Sequence, residues 1–93
     1  MRELRLDEFT GREGQVFELV LGEAGVPFTL TKVRALRASG REGGAFVLEW
    51  RGPADPVLPQ SIYTFRQGPD SVEMFIVPLA LDGDGARYEA VFN

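Results

Sequence analysis

From Gln15 almost to its end, the chain alternates apolar and polar residues with a period of two. No stretch of ten residues between the alternating runs carries a helical pattern. Parallel strands are joined by crossovers of roughly a dozen residues or more, usually helical, and none is available here. The expected fold is therefore all-β: about six antiparallel strands in a small barrel or a two-layer sandwich, with a short N-terminal helix.

The alternation names the inward rows. Phe17, Leu19 and Leu21 alternate with Val16, Glu18 and Val20, and Phe28 and Leu30 resume after the turn cluster Gly22-Glu23-Ala24-Gly25. The pattern slips at Lys32, polar where an apolar residue is due, and a bulge there would return Val33 to the inside. Phe46, Leu48 and Trp50 make the next inward row. Tyr63 and Phe65 share a face of the 62–67 run, and Tyr88, Ala90 and Phe92 share one near the end, with Val91 opposite. Val72 to Val77 is apolar on nearly both sides, which predicts a central strand. Turns are expected at 67–70 and 81–85, and a glycine-rich loop tip at 39–44. The segment RGPADPVLPQS, residues 51–61, carries three prolines and cannot continue a sheet. Leu4 to Thr10 is the one helical candidate, a turn or two with Asp7 as N-cap, serving as a lid over one end of the fold. Phe17, Phe28, Phe46, Trp50, Phe65, Phe75, Tyr88 and Phe92 all fall on strands, and a small core needs most of them.

A length of 93 residues sets one domain, 1–93, as the expectation. The chain has no cysteine and no histidine. Disulfides, thiolate nucleophiles, Ser-His-Asp and Cys-His mechanisms and His- or Cys-based zinc sites are thereby excluded. A carboxylate-only enzyme or a hard-cation site built from oxygens remains chemically open. The net charge of -4 disfavours a nucleic-acid partner, which needs a basic surface. The opening MRELRLDEF has no apolar targeting core, and Met74 to Leu81, the longest uncharged apolar run, is broken by Pro78. Neither supports a membrane span of about 20 residues, so a cytoplasmic location is expected.

Three pieces resemble a domain-of-unknown-function family of small bacterial all-β proteins. They are LDEF (Leu6 to Phe9), RGPADPVLPQSIY (Arg51 to Tyr63), and DGARYEAVFN (Asp84 to Asn93) with MFIVP (Met74 to Pro78) before it. The resemblance covers nearly the whole chain. It implies an all-β accessory domain, with members often beside phage-tail-collar-like proteins, and brings no catalytic residue with it.

Each candidate site has a plainer reading. Asp82-Gly83-Asp84-Gly85 looks like half a calcium loop, but Ala86, Arg87 and Asn93 stand at the fifth, sixth and twelfth positions. It reads better as a hairpin turn. Gly40, Gly43 and Gly44 lack the lysine-serine or lysine-threonine pair of a phosphate loop. Glu49, Glu73 and Glu89 lie on separate strands and suit an outward acidic row better than a glycosidase pair. Residues 24–41 hold Lys32, Arg34, Arg37 and Arg41 with no acid, a solvated edge or an electrostatic docking face. The proline-rich connection is stiff and carries Val57 and Leu58, which either plug one end of the fold or anchor a partner. The residues expected to meet a protein partner or a second copy are Val57, Leu58, Trp50, Arg34 and Arg37, with the basic pair steering if it lies at the same end. No catalytic, cofactor-binding or metal-binding residue is expected, and no cofactor. The expected function is a non-enzymatic structural or protein-interaction module, with a small-molecule-binding barrel as the alternative and a carboxylate enzyme third.

Overall fold

Three two-residue turns, Gly22-Glu23, Gly68-Pro69 and Gly83-Asp84, each reverse the chain between strands. Gly22 and Gly68 take φ of 62° and 59°, the left-handed region that tight hairpins require and glycine adopts without strain. The computed structural model describes residues 3–36 and 43–93. Its strands are β1 (Val16–Leu21), β2 (Ala24–Ala35), β3 (Phe46–Gly52), β4 (Ser61–Gln67), β5 (Asp70–Asp82) and β6 (Gly85–Phe92). All pairings are antiparallel, and the order β1-β2-β3-β6-β5-β4 closes into a barrel. Closure comes from three pairs between β1 and β4: Glu18 with Arg66, Leu19 with Phe65, and Val20 with Thr64.

The β2–β3 ladder shifts register between Leu30 and Lys32, the bulge that the slipped alternation predicts. It restores Val33 to the inner face, where it packs against the core.

The interior is filled with aromatic rings. Trp50 lies 4.6 Å from Phe65 and 5.1 Å from Phe17, centroid to centroid, and Phe28 lies 5.0 Å from Tyr88. Toward the other end Phe46 stacks on Phe92 at 4.5 Å and meets Phe9 at 6.0 Å. Such pairs add about 0.5–1.5 kcal/mol each beyond the area they bury. Leu4 and Phe9 close the lower mouth. The predicted lid is thus present, but the helix between these residues is one 3-10 turn, Leu6–Glu8, and Asp7 does not cap it. Arg5 holds the N-cap position and donates its backbone N–H to the Glu8 carboxylate at 2.7 Å.

Two expectations for the 72–77 segment need correction. β5 runs on to Asp82, with a register shift between Pro78 and Ala80, at a point where pairing with β4 has ended. A proline and an extra residue are tolerated there. A closed barrel also has an outer face on every strand. Met74 and Ile76 point in and are buried, while Phe75 points out and is about half exposed. Phe75 therefore does not belong to the core.

Candidate functional site

The circular strand order puts β3 and β4 diametrically opposite one another. The connection between them, residues 53–60, must cross the upper mouth, and this crossing decides what its apolar residues do. Leu58 drops into the mouth and is 5% exposed. Its backbone N–H donates to the Tyr88 hydroxyl at 2.8 Å. The Tyr63 hydroxyl in turn donates to the Pro59 carbonyl at 2.7 Å, and burial, with Tyr88 nearby, raises the Tyr63 pKa and keeps that donor protonated. Val57, one residue earlier, stays outside at 41% exposure.

The five residues expected at a partner surface therefore separate. Leu58 is a plug. Trp50 is fully buried in the aromatic core, its indole N–H without a hydrogen-bond partner. Both are corrected from contact residues to core residues, because the fold consumes their surface. Arg34 is exposed, but at the far end: it pairs with Val47, five residues before β3 reaches the crossing at Gly52. Five strand residues span roughly 17 Å. β2 descends from its hairpin tip while β3 climbs back, so Arg34 and Val57 lie at opposite ends of the barrel. Arg37 lies outside the described residues, as do Arg41 and Gly40.

Of the acidic candidates, Asp82, Asp84 and Glu49 stand beside arginines. Asp82 accepts from the Arg51 guanidinium at 2.6 Å and from the Asp84 backbone N–H at 3.0 Å. These contacts, led by Arg51, hold its carboxyl below the ordinary carboxylate range. Arg87 stands 3.9 Å from both Asp82 and Glu49. Glu49 and Glu89 are direct cross-strand neighbours on the outer face, with Lys32 opposite Glu49 on its other side, whereas Glu73 pairs with Thr64 elsewhere. Arg66 meets Glu18 at 2.5 Å on the surface. Among the described residues no three metal-ligating side chains gather.

A cleft of about 200 Å³ opens at the lower end between Glu8, Phe9, Arg12, Phe65, Asp70 and Ser71. Arg12 is already engaged there. It lies 4.9 Å from the Phe17 ring centre and donates to the Glu8 carbonyl at 3.0 Å and to the side chains of Gln15 and Gln67. It is a latch between the lid and the β4 end.

What the alternation missed lies outside. Ile62 pairs with Phe75, and Val91 pairs with Val47. Val77 pairs with Glu89, and the same register counted two residues on sets Phe75 level with Val91. Ile62, Phe75 and Val91 thus form one row across β4, β5 and β6, each about half exposed, with Leu79 and Leu81 exposed farther along β5. The apolar outward residues were visible in the sequence, but not which face they occupy.

The chain belongs to the domain-of-unknown-function family DUF6916. The family model matches residues 4–92. The DUF6916 match thus runs from Leu4 in the lid to Phe92 on the last strand and takes in the Leu58 plug. Among curated proteins and solved structures none matches the chain. For this DUF6916 domain no helix among the described residues is long and apolar enough to cross a membrane.

Proposed function

We propose that the chain is a non-enzymatic structural or protein-interaction module. The observation that carries this reading is the contrast between inside and outside. The barrel interior is occupied by rings and closed at both mouths, while the row Ile62–Phe75–Val91 offers solvent an apolar surface with no internal role. Contiguous exposed apolar surface of this kind marks interaction sites. The exposed carboxylates favour the same reading. Glu49 and Asp82 face arginines on the outer surface, and Glu18, in the shallow groove beside Pro27 and Gly68, is paired with Arg66, so none of them faces a second carboxylate across a deep cleft as a glycosidase needs.

The partner is a protein or a second copy, without nucleic acid or membrane, and the working compartment is the cytoplasm. The setting, an accessory of a bacterial phage-tail-like assembly, follows from the family resemblance of the 6–9, 51–63 and 74–93 segments. A small-molecule-binding barrel would use the lower cleft, where Arg12 is already engaged, or the shallow groove beside Pro27 and Gly68, where Arg66 is paired with Glu18.

The test is co-expression with a phage-tail-collar-like protein of the same genome. Co-purification of the native chain, lost with Ile62→Ser plus Phe75→Ser at an unchanged melting temperature, supports the reading. No co-purification of the native chain refutes the tail setting.

A further inference from the structure

We infer that the overhanging edge of β5, Leu79 to Leu81, pairs antiparallel with the same segment of a second copy. This rests on the interaction reading above and deepens it by naming a surface and its occupant.

Closure removes free edges from a barrel only where every strand has two neighbours. β5 pairs with β4 from Asp70 to Ile76, where Ile76 meets Ser61, the first residue of β4, and its ladder with β6 begins at Val77. Beyond that β5 continues to Asp82 with β6 alone on one side. The chain preceding β4 does not take the other side, because Leu58 turns into the mouth, and among the described residues no backbone bond joins 53–60 to 77–82. One row of peptide groups on this stretch is therefore left without a strand.

Protected edges carry charges, prolines or bulges. Here Pro78 and the register shift guard only the barrel-side end. Leu79, at the shift itself, and Leu81 past it are 45% and 62% exposed, Leu81 being the most exposed large apolar residue among those described.

Three features favour a second copy as the occupant. An antiparallel two-fold pair is self-complementary by symmetry. Met74 to Leu81 carries no charge, so two copies do not repel. Asp82, the first charge reached, is neutralised within its own chain by Arg51. A two-fold axis at Ala80 sets Ala80 opposite its own copy and Leu79 opposite the copy's Leu81, which joins the exposed leucines across the junction. So short a ladder falls below the roughly 1,200 Å² of stable interfaces, so the dimer is expected to be weak and concentration-dependent.

The chain lacks cysteine, so single cysteines report cleanly. Directly opposed antiparallel residues stand about 4.5–5.5 Å apart at Cα, within disulfide reach. Ala80→Cys should give a disulfide-linked dimer with oxidised glutathione, while Val16→Cys, exposed on β1, should not. In sedimentation velocity the native chain should shift toward dimer with concentration. Leu79→Arg plus Leu81→Arg should weaken that association at least tenfold with an unchanged melting temperature. A native chain monomeric at millimolar concentration, with no cross-linking at Ala80→Cys above the Val16→Cys level, overturns the inference. So does a dimer indifferent to both changes, which uses another surface. Ile62 and Phe75 are untouched in these variants, so co-purification with a tail protein tests the broader reading separately.

Discussion

Replacing Leu58 by serine should destabilise the barrel, whereas replacing Val57 should not, although the two residues are adjacent and both apolar. Leu58 is 5% exposed in the upper mouth and packs in the core cluster, while Val57 is 41% exposed. Large-to-small changes at buried leucines cost about 2–5 kcal/mol, and a plug at a mouth relaxes more easily than a central residue, which favours about 2–3 kcal/mol. For a domain of this size each kcal/mol moves the melting temperature by about 4–8 °C, so Leu58→Ser should lower it by about 10–20 °C. Val57→Ser should stay within about 0.5 kcal/mol, less than about 4 °C. Circular dichroism melts of both variants measure this. The backbone adds a second check. Tyr88→Phe strands the Leu58 N–H in the mouth and should cost about 1–3 kcal/mol. In Leu58→Ser the loop lifts and water reaches that N–H, so Tyr88→Phe should then cost measurably less. A Leu58→Ser melt within about 4 °C of the native one, or strict additivity with Tyr88→Phe, would refute the plug.

Gly85→Ala should destabilise by about 2 kcal/mol or more, seen as a lower urea midpoint, because φ is 142° and an added Cβ would lie 2.3 Å from the Gly52 carbonyl oxygen. An unchanged midpoint would contradict this. Deleting 88–93 should leave no cooperative melt: β6 pairs with both β3 and β5, and the cut removes Tyr88 and the Phe46–Phe92 stack. The Asp82 carboxyl is depressed mainly by its Arg51 hydrogen bond, so its contribution is full above the ordinary carboxylate pKa and is lost as pH falls through its folded value. Melts from pH 6 to pH 2 should therefore show less acid sensitivity in Asp82→Asn, and identical slopes would sink the assignment.

Legibility tracked the range of the interaction. Lys32 sits where the polar-apolar order breaks, a local signal, and the bulge is there. The hairpin turns were legible for the same reason, since glycine with Glu, Pro or Asp favours tight reversal on its own. Barrel against sandwich was not legible, because it hangs on Glu18 meeting Arg66 across 48 residues, and no local pattern encodes that contact. Nor was the Leu58–Tyr88 hydrogen bond, formed only because β3 and β4 end on opposite walls. Phe75 failed for a different reason. Alternation assumes that apolar means inside, and a strand with apolar residues on both faces reads as doubly covered when one face is open.

That failure and the unpaired edge belong to the same strand. β5 is the longest of the six, and its outer face and its overhang together hold Phe75, Leu79 and Leu81. Stability of the isolated chain gives these residues no reason to be apolar: half-exposed side chains contribute little, and an apolar edge invites aggregation. Apart from Val91, the outward positions of β3 and β6 include Glu49, Arg51, Arg87 and Glu89, with ion pairs from Arg51 to Asp82 and from Arg87 to Glu49. Polar exteriors on those strands show that the fold tolerates charge at outward positions. The apolar ones on β5 are not required by the fold, and the proposed contact with another chain would account for both observations.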